Sequence, residues 1–576
     1  MIPTMQKMKY TPVLMVGMLA LGACQTTPPP PASSTSSYTS RHMISVANPL
    51  AAEAGRDMLR AGGSAVDAAI AAQMVLTLVE PQSSGIGGGA FLMHYDKSSG
   101  AIESYDGRET APMSTRPDIF LKADGTPKKF YDAVVGGSAV GVPGLLRSLE
   151  LAHKEYGKLP WADLFQPAIA LSESGFVISP RLADLLDREK YLKTIPASKA
   201  YFYDNNGNPK KAGVLLKNTA LATTLKAVAK GGADAFYSGP IAKAIIKTVN
   251  TAPKNRGGMT LSDIAAYKAV KRKPVCLEYR IWKVCGMGPP SSGGLTTLQI
   301  LGIIKQFDLS KIPPMSADAV HLIAEASRLA FADRNTYIAD PDVVPMPPGL
   351  LDPKYLGLRA NQISTTKAAK KRYPGMPGLS GTLKFAPGGN EHGLSTTHMS
   401  IIDSDGNAVS MTSSIENAFG SRLMVGGFIL NNQLTDFSFR PSKNGAPIAN
   451  RAGPGKRPRS SMSPTLVFDK DDNLVMAVGS PGGSRIIGFV AKTLIAALDW
   501  GMDMDSAIDA PNFVNRNGAT ELEKGTALES LKPALEAMGH KVKLLSRVSG
   551  LQGIRVTKYG LEGGADRRRE GVAIGD

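Results

Sequence analysis

The sequence predicts an α+β protein, and three observations lead to that prediction. Residues 42–113 alternate between helix-like and strand-like patterns, and residues 145–330 are mostly helical in pattern. Residues 396–412 have the composition of two strands joined by a polar turn. We therefore expect a helical layer, formed by the middle of the chain, together with a β-hairpin further on.

Length and composition are those of a globular protein. The chain has 576 residues, of which 43% are hydrophobic and 20% charged, so it can bury one large core or two. Its formal net charge of +17 is spread along the chain, with dense basic runs only at residues 370–372 and 567–569. No basic helix or aromatic-interleaved basic patch is present, which disfavours nucleic acid as a partner. A solvated basic surface, suited to an anionic envelope or small anionic substrates, is the simpler explanation.

The N-terminus has the layout of a bacterial export signal. Two lysines precede an apolar run at residues 13–23, which is too short to span a bilayer. The run ends Leu21-Gly22-Ala23-Cys24, which resembles a lipobox. Residues 1–23 are therefore predicted to be a signal peptide and Cys24 to be acylated. A plain signal peptide with an incidental cysteine is the alternative.

The residues after this cysteine extend the prediction. Residues 24–41 are rich in Pro, Ser and Thr and lack a core-forming pattern, as expected of a solvated tether between a membrane and a domain. Gln25 is not the aspartate that retains lipoproteins at an inner membrane. We expect an exported protein, lipid-anchored on the periplasmic side of an outer membrane or otherwise periplasmic.

Helices and strands follow in order from residue 42. Residues 48–62 form an amphipathic helical pattern that ends at two glycines, and a second helix begins near Ser64 with Asp67 in its first turn. Glycines at residues 85–89 lead into a strand at residues 90–95, where they let backbone approach backbone or ligand. Because the order is helix, glycines, strand, this is not a dinucleotide-binding fingerprint.

The middle of the chain combines helical patterns with two cysteines. The helical patterns lie at residues 145–153, 220–230, 241–249 and 317–332. Cys276 and Cys285 flank residues 277–284, which have the length of a tight hairpin, and an oxidising compartment favours a disulfide there. Two buried thiols are the alternative. Without a nearby histidine pair the cysteines do not make a zinc site of the usual kind, and no metal or other cofactor is predicted.

A polar connector runs directly into the predicted hairpin. Residues 367–393 are rich in Lys, Gly, Pro and Ser with little periodicity, which predicts an exposed segment. Residues 396–402 and 408–412 then read as strands around a turn at residues 403–407. A flexible segment thus leads into a buried hairpin whose first residue is Thr396.

This position suggests a nucleophile. A threonine hydroxyl attacks poorly unless a base lies beside it, and the α-amine of an N-terminal threonine serves as that base in one group of hydrolases. Such a residue is made by cleavage, in which the hydroxyl attacks the preceding carbonyl and the resulting ester hydrolyses. The cut would lie between Ser395 and Thr396. An ordinary strand rich in β-forming residues would have the same sequence, so this pattern alone is weak evidence for a catalytic threonine.

Several separate segments strengthen the hypothesis. They are Gly62-Gly63-Ser64-Ala65-Val66-Asp67-Ala68-Ala69, Asp106-Gly107-Arg108-Glu109-Thr110-Ala111-Pro112, Pro289-Pro290-Ser291-Ser292-Gly293-Gly294, Ala332-Asp333-Arg334, Asp340-Pro341-Asp342, Thr396-Thr397-His398, Leu430-Asn431-Asn432-Gln433, Asp436-Phe437-Ser438, residues 456–465 and residues 479–485. Over nearly all of residues 42–576 the chain resembles the gamma-glutamyltransferase family of N-terminal-nucleophile hydrolases.

The resemblance implies a fold, a reaction and a division of the chain. The fold is a four-layer αββα sandwich that cleaves itself into a large subunit, residues 42–395, and a small subunit, residues 396–576, which remain together as a heterodimer. The reaction transfers the γ-glutamyl group of glutathione and similar amides to water, an amino acid or a peptide, without a cofactor. A γ-glutamyl group carries a carboxylate and an ammonium, so the site has to offer donors for one and acceptors for the other.

The resemblance also assigns roles to individual residues. Those that match the family are Thr396 as nucleophile, Ser414 as its supporting hydroxyl, Arg108, Ser460 and Ser461 as binders of the α-carboxylate, Gln433 and Asp436 as binders of the α-amino group, and the backbone amides of Gly482 and Gly483 as the oxyanion hole. His398 lies two positions from the nucleophile on the same strand face, but it has no matching aspartate and the family does not use it as a base.

Three departures from the family bear on specificity. Ser414 replaces a common threonine and keeps the hydroxyl while losing the methyl that fixes its rotamer. Glu416 replaces a common asparagine, and it either binds the substrate ammonium more strongly or disturbs the neighbouring carboxylate contacts. Because family members have Glu or Gln at the position of Gln433, a third interpretation is that Glu416 and Gln433 together only exchange where the negative charge lies. Residues 439–453 contain no tyrosine or tryptophan, whereas some bacterial members cover the pocket with an aromatic lid loop, so a more open pocket is expected.

Two other functions compete with γ-glutamyl transfer. Relatives on the same scaffold hydrolyse glutaryl amides of cephalosporins, and an open pocket suits such substrates, but a glutaryl group leaves the acceptors Gln433 and Asp436 without a partner. The second is an inactive, unprocessed envelope protein that only binds ligands. The retained nucleophile, oxyanion glycines and ion-binding residues disfavour it.

Overall fold

The computed structural model describes residues 1, 3, 37–378, 384–389, 395–546 and 549–576. The predicted acylation site Cys24 and all but two residues of the predicted signal peptide lie outside these residues, as does most of the predicted tether. Ser36–Asp576 form one packed unit. Within the described part of the chain, no helix is both long and apolar enough to cross a membrane.

Helices and strands alternate irregularly along the chain. The helices are α1 Pro49–Arg60, α2 Ala65–Val79, α3 Phe130–Val134, α4 Leu145–Tyr156, α5 Gln166–Ser174, α6 Pro180–Arg188, α7 Pro196–Phe202, α8 Thr219–Gly231, α9 Asp234–Tyr237, α10 Gly239–Asn250, α11 Leu261–Ala265, α12 Gly293–Ile304, α13 Ala317–Tyr337, α14 Pro353–Ala360, α15 Ile486–Leu498, α16 Met504–Asp509 and α17 Lys532–Ala537. The strands of the N-terminal part are β1 Ser37–Thr39, β2 Met43–Val46, β3 Gly89–Asp96, β4 Ala101–Gly107, β5 Phe176–Val177, β6 Leu215–Leu216, β7 Val270–Arg272, β8 Val275–Tyr279 and β9 Trp282–Gly286. Those that follow are β10 Thr397–Ile402, β11 Ala408–Ser414, β12 Met424–Val425, β13 Phe428–Ile429, β14 Ser442–Lys443, β15 Ala446–Pro447, β16 Thr465–Phe468, β17 Leu474–Gly479, β18 Phe513–Asn515, β19 Thr520–Glu523, β20 Val542–Leu545, β21 Gln552–Thr557, β22 Gly560–Ala565 and β23 Val572–Gly575.

Local signals place the first two helices where the sequence predicts them. The side chain of Asn48 accepts a hydrogen bond from the backbone of Leu50 at the start of α1. Ser64 and Asp67 form a capping box at the start of α2, in which each side chain accepts from the other residue's backbone N–H. These bonds satisfy backbone donors that a helix N-terminus otherwise leaves without partners.

The predicted hairpin forms the centre of a sheet. Strands β10 and β11 pair in antiparallel register from Thr397 opposite Ser413 to Ile402 opposite Ala408. Their seven-stranded sheet has the order β23-β2-β10-β11-β3-β4-β7, and a second seven-stranded sheet has the order β1-β22-β21-β17-β16-β9-β8. Thr396 therefore stands at the entrance to an interior strand, where neighbours on both sides fix the backbone.

The two sheets pack face to face between two helical layers. Strands β10 and β11 contact β17 and β21 across the sheet interface. Helices α1, α2 and α4 cover the outer face of the sheet that holds β10, and α12, α15 and α16 cover the other. One large apolar cluster lies between the sheet that holds β10 and its helices, and a second fills the space between the two sheets and under the helices of the other side. The predicted four-layer αββα sandwich is confirmed.

The middle of the chain does not form a single helical layer, contrary to the prediction. Helices α4, α5 and α8 lie on the side of the sheet that contains β10, whereas α12 and α13 lie on the other side of the molecule. The strands β7 to β9 cause the division, because β7 joins one sheet and β8 and β9 join the other. Helical periodicity identifies the buried face of each helix but not the sheet against which that face packs.

The two cysteines lie on the predicted hairpin. Cys276 and Cys285 are directly opposed on β8 and β9 and are joined by a disulfide. The connector before the nucleophile has no helix or strand in its described residues 367–378 and 384–389, and most of these residues are exposed or half-buried.

Candidate active site

The residues at the predicted cleavage junction are buried and closely constrained. The side-chain oxygen of Thr396 lies 2.7 Å from the carbonyl oxygen of Ser395. The Ser395 hydroxyl donates to the carbonyl of Gln82 at 2.5 Å, and the Ser395 N–H donates to the carbonyl of Glu416 at 3.3 Å. Both junction residues are almost fully buried. The Thr396 hydroxyl is thus held beside the peptide bond that it would have to attack.

Ser414 connects the hydroxyl to that peptide bond. Its Oγ lies 3.1 Å from Thr396 Oγ1 and 3.1 Å from the carbonyl oxygen of Ser395, and it accepts a hydrogen bond from the backbone of Glu416 at 2.9 Å. Gly88 lets β3 come close at this point, because a Cβ there would lie 2.2 Å from the carbonyl oxygen of Ser414. A hydroxyl in this position can polarise the Ser395 carbonyl or orient the Thr396 hydroxyl.

A small cavity of about 30 Å³ opens beside Thr396. Its lining residues are Arg108, Arg334, Thr396, Ser414, Glu416, Gln433, Asp436, Arg459, Ser460, Ser461, Met462, Gly483, Ser484 and Ile486. Every predicted catalytic or substrate-binding residue is among them except Gly482, which directly precedes Gly483. The fold therefore brings together residues that lie up to 375 positions apart, from Arg108 to Gly483.

The predicted binders of opposite substrate charges pair with each other in the structure. Arg108 Nη2 lies 2.5 Å from Asp436 Oδ2, and Gln433 Nε2 donates to the same oxygen at 3.0 Å. The Arg108 guanidinium is buried and also donates through Nε to the carbonyl of Pro458 at 2.9 Å. The carboxylate of Asp436 keeps about a fifth of its surface exposed toward the cavity, with a side-chain exposure of 22%.

The neighbouring acceptors are less well satisfied. Glu416 Oε2 accepts a hydrogen bond from Asn432 Nδ2, but among the described residues Glu416 Oε1 and Gln433 Oε1 are buried without a hydrogen-bond partner. Burial and the nearby charge of Asp436 raise the pKa of Glu416 to about 8. Unpaired buried acceptors are costly, so these two oxygens mark a place suited to an ammonium group.

The serine side of the cavity is organised by arginines. Arg334 Nη2 donates to Ser461 Oγ at 2.7 Å, and Ser460 Oγ accepts from the backbone of Met462 at 3.1 Å. The buried guanidinium of Arg459 donates to the carbonyl of Arg334 at 2.9 Å, and burial lowers the pKa of Arg459 to about 10. These positively charged groups suit the carboxylate end of a substrate.

Arg334 and Arg459 line the cavity but were not predicted as site residues. Both lie within segments that carry the family resemblance, so the signal was present. Their residue types alone did not separate a cavity-lining arginine from one in a structural ion pair.

The turn at Gly482 and Gly483 requires glycine. Their φ angles are +137° and +60°, and a Cβ on Gly482 would lie 2.7 Å from the ring of Phe489. This turn enters the 3₁₀ helix Gly483–Arg485, which continues into α15. It places backbone amides at a helix entrance beside the cavity, a geometry that favours negative charge. The oxyanion role of these amides stays a prediction.

His398 is part of the sheet interior. Its ring nitrogens lie 2.8 Å from Thr412 Oγ1 and 3.2 Å from Ser400 Oγ. Burial lowers the pKa of His398 to about 3, which keeps the imidazole neutral. Its ring contacts hydroxyls rather than a carboxylate, as a structural residue would. The described part of the chain contains no group of His, Cys, Asp and Glu side chains suited to a metal ion.

Comparison with known proteins now identifies the family. The family model described as gamma-glutamyltranspeptidase matches residues 51–576. The chain belongs to the gamma-glutamyltranspeptidase family. It is 39% identical over 542 residues to the glutathione hydrolase proenzyme of Escherichia coli strain K12, with 91% of this chain and 90% of the relative covered. It is 38% identical over 547 residues to the glutathione hydrolase proenzyme of Bacillus subtilis strain 168, with 92% and 91% covered.

A solved structure supports the fold. The crystal structure of cephalosporin acylase from Bacillus halodurans superposes with a TM-score of 0.80 at 28% sequence identity and covers 96% of this chain and 98% of its own. Membership of the gamma-glutamyltranspeptidase family, predicted from the sequence, is confirmed. As a member of that family, the chain is a γ-glutamyl-transferring enzyme.

Proposed function

We propose that this gamma-glutamyltranspeptidase cleaves itself between Ser395 and Thr396 and then hydrolyses or transfers the γ-glutamyl group of glutathione and related amides. The observation that carries the proposal is the shared cavity. The Thr396 hydroxyl, a supporting serine, a buried arginine and a partly exposed carboxylate all line it. One end of that set suits a carboxylate, the other suits an ammonium, and the nucleophile lies within reach of both.

Self-cleavage needs only groups at the junction. Thr396 Oγ1 attacks the carbonyl carbon of Ser395, the C–N bond of the peptide breaks, and the nitrogen takes up the proton that the hydroxyl gives up. Ser414 Oγ stabilises the developing charge on the carbonyl oxygen of Ser395, from which it lies 3.1 Å. Water then hydrolyses the ester, which releases a carboxylate on Ser395 and restores the Thr396 hydroxyl beside the α-amine that cleavage of the C–N bond has freed.

The freed amine makes Thr396 a competent nucleophile. It accepts the hydroxyl proton as Oγ1 attacks the γ-carbonyl of the substrate, and it passes that proton to the departing amine. The product is a γ-glutamyl ester on Thr396. The amides of Gly482 and Gly483 hold the oxyanion during each attack. Water, an amino acid or a peptide then takes the γ-glutamyl group from the ester.

Substrate binding requires an exchange of partners. The α-carboxylate binds Arg108, Ser460 and Ser461, while the α-ammonium binds Asp436, Gln433 and Glu416. The ion pair between Arg108 and Asp436 has to break. Arg108 then binds the carboxylate of the substrate, and Asp436 binds its ammonium. Two charge-assisted contacts replace one, so a substrate that carries both charges is favoured over one that carries only the carboxylate.

The two fragments are proposed to stay together as a heterodimer of residues 42–395 and 396–576. Each seven-stranded sheet contains strands from both sides of the cut. Strand β10 pairs with β2 of the large fragment, and β16 pairs with β9. Separation would break backbone pairing in both sheets, so cleavage changes the nucleophile without dividing the fold.

The export and lipid-anchor predictions belong to the same proposal. We expect the mature chain to begin at an acylated Cys24 and to fractionate with membranes. The Cys24→Ser variant is expected to lose that association while it keeps its activity. Identical fractionation of the variant and the wild type would contradict the anchor and leave the enzymatic proposal untouched.

A glutaryl-amide acylase is the second candidate, favoured by the structural likeness to a cephalosporin acylase. A side-by-side rate measurement on a γ-glutamyl anilide and the matching glutaryl anilide separates the two. The ammonium-binding residues predict that kcat/KM is larger by about 100-fold for the γ-glutamyl compound, as expected for loss of one desolvated charge contact. Equal rates, or a preference for the glutaryl anilide, would overturn the γ-glutamyl assignment.

A further inference from the structure

An arginine near the C-terminus contacts the backbone of the nucleophile from outside the substrate cavity. Arg569 Nη1 donates to the carbonyl oxygen of Thr396 at 2.8 Å, and Arg569 Nε donates to the carbonyl oxygen of Ser549 at 2.9 Å. Arg569 does not line the substrate cavity. It therefore holds the backbone of the nucleophile without belonging to the proposed substrate-binding set.

The guanidinium is positioned by a close approach of the backbone. A Cβ on Gly550 would lie 2.6 Å from Arg569 Cδ and 2.8 Å from Arg569 Nε, so the absence of a side chain at Gly550 makes room for the arginine. The neighbouring Asp566 is itself fixed, because its Oδ2 accepts from Ser549 Oγ at 2.6 Å and from the backbone of Leu551 at 3.1 Å. These contacts give the guanidinium one orientation.

Arg569 is a half-buried positive charge at neutral pH. Burial and the neighbouring Arg181 lower the pKa of Arg569 to about 9, and the carboxylates of Glu80 and Asp566 act in the opposite direction. Its guanidinium is therefore mainly protonated at pH 7. A charge partly removed from water acts on its neighbours with less screening than one at the surface.

That charge lies close to the group that cleavage creates. The α-amine and the carbonyl oxygen of one residue are separated by three covalent bonds, which places the guanidinium nitrogen within about 6 Å of the Thr396 amine. A positive charge at this distance disfavours the ammonium form of the amine. The neutral form is the one that can accept a proton from the Thr396 hydroxyl.

We propose that Arg569 is a positioning residue for the nucleophile, which fixes the carbonyl of Thr396 and keeps its α-amine in the basic, unprotonated form. The inference rests on the proposed function, in which that amine is the general base. It adds a second role for charge at the site. Arg569 acts on the base from outside the cavity, while the cavity residues act on the substrate.

Other charges surround the same amine, and the test has to hold them constant. On the cavity side they are Arg108, Arg334, Glu416, Asp436 and Arg459, and on the side of Arg569 they are Glu80, Arg181 and Asp566. Glu80 is buried beside the strand, where its Oε2 accepts from Thr397 Oγ1 at 3.2 Å. Removal of Arg569 takes away a positive charge and leaves the carboxylate of Glu80 in place. Loss of the one and persistence of the other both raise the pKa of the amine.

The test compares Arg569→Gln and Arg569→Lys with wild type and with Arg567→Gln. Arg567 is a matched control, because its side chain is 64% exposed and pairs with Asp505 and Asp509 away from the nucleophile. The first readout is the acid limb of kcat for a γ-glutamyl anilide. The second is the rate at which acetic anhydride labels the Thr396 amine as a function of pH, which does not depend on turnover.

We expect both readouts to move upward by about one pH unit in Arg569→Gln. Arg569→Lys keeps the positive charge but cannot bind the carbonyls of Thr396 and Ser549 together through a planar fork. Its acid limb should therefore stay within about 0.3 pH units of wild type while kcat falls by about tenfold. Arg567→Gln should match wild type in both.

An unshifted labelling profile in processed Arg569→Gln would overturn the inference. If that variant does not fold or process, Arg569→Lys decides, because a limb displaced by a full unit despite the retained charge would contradict the electrostatic role. Failure of the proposed function looks different. In that case wild type itself would not turn over the γ-glutamyl anilide, although its amine could still be labelled.

Discussion

The two halves of the cavity differ in how completely they are built before substrate arrives. Around the Thr396 hydroxyl the groups are the Ser414 hydroxyl and the carbonyl oxygen of Ser395, and hydrogen bonds of 2.7 to 3.1 Å join the three. Beside Asp436 lie the charged guanidinium of Arg108 and two buried acceptor oxygens, of Glu416 and Gln433, that have no partner among the described residues. The first half is ready for chemistry in the uncleaved chain, whereas the second is completed only by a ligand.

This difference predicts which measurements each half controls. Loss of a hydroxyl at the junction removes an interaction made during bond breaking, so it lowers the rates of cleavage and turnover. Loss of a charge in the ion-binding half removes an interaction with the substrate's ammonium or carboxylate, so it alters the choice between substrates. Substitutions in each half test that separation, in order of expected size.

The largest effect is expected for Thr396→Ala. Without the attacking hydroxyl, the chain should remain a single polypeptide and turnover should fall by at least about 10⁴-fold. Thr396→Ser keeps a hydroxyl and serves as the control, with slower but complete cleavage. Gel electrophoresis and anilide hydrolysis measure both. Cleavage of Thr396→Ala at the wild-type rate would show that the Thr396 hydroxyl is not the group that attacks the peptide bond.

The next effect is expected for Asp436→Asn. It removes the carboxylate that is proposed to hold the substrate ammonium, which should lower kcat/KM for the γ-glutamyl anilide by about 100-fold. The glutaryl anilide has no ammonium, so its kcat/KM should change by less than about threefold, and self-cleavage should continue. A loss of equal size on both substrates would mean that Asp436 supports the fold or the nucleophile instead.

A smaller effect, visible in the pH profile, is expected for Glu416→Gln. Because burial and Asp436 raise the pKa of Glu416 to about 8, this side chain is mainly neutral below pH 8 and anionic above it. The anion holds an ammonium better, so KM of wild type should fall as the pH rises through 8, by about tenfold at most. Glu416→Gln should lose this trend in KM and keep the acid limb of kcat. An identical KM profile in the variant would contradict the assigned charge.

The smallest effect lies outside both halves and concerns stability. His540 Nε2 lies 2.8 Å from His321 Nδ1, and burial followed by the charge of His321 lowers the pKa of His540 to about 4. The unfolded chain, with a pKa near 6.5, takes up the proton first, so this stabilising contribution is complete above pH 6.5 and is lost as the pH falls toward 4. The free energy of unfolding should fall by about 1 to 2 kcal/mol from pH 7 to pH 5 on account of this residue.

Denaturant unfolding of the single-chain Thr396→Ala protein measures that loss without subunit dissociation. A His540→Gln substitution in the same background should reduce the dependence on pH. His94 and His398, which burial gives pKa values of about 4 and about 3, will still contribute to the remaining slope. An unchanged slope would show that the histidine pair is not the source.

The sequence predicted the elements and the set of site residues better than their arrangement. Helix caps such as Ser64 and the turn between β10 and β11 are local, so short patterns place them correctly. The division of the middle helices between two layers depends on contacts far apart in the chain, which periodicity does not record. The pairing of Arg108 with Asp436 across 328 positions has the same origin. The residue types predicted the charges of Arg108 and Asp436. Only the fold shows that the two side chains pair with each other before substrate binds.

The identity of the small fragment tests the central claim most directly. The purified wild-type protein should separate into two polypeptides, and N-terminal sequencing should find that the smaller one begins at Thr396. A first residue other than Thr396, or a chain that stays whole while it turns over γ-glutamyl anilide, would contradict the account of the nucleophile.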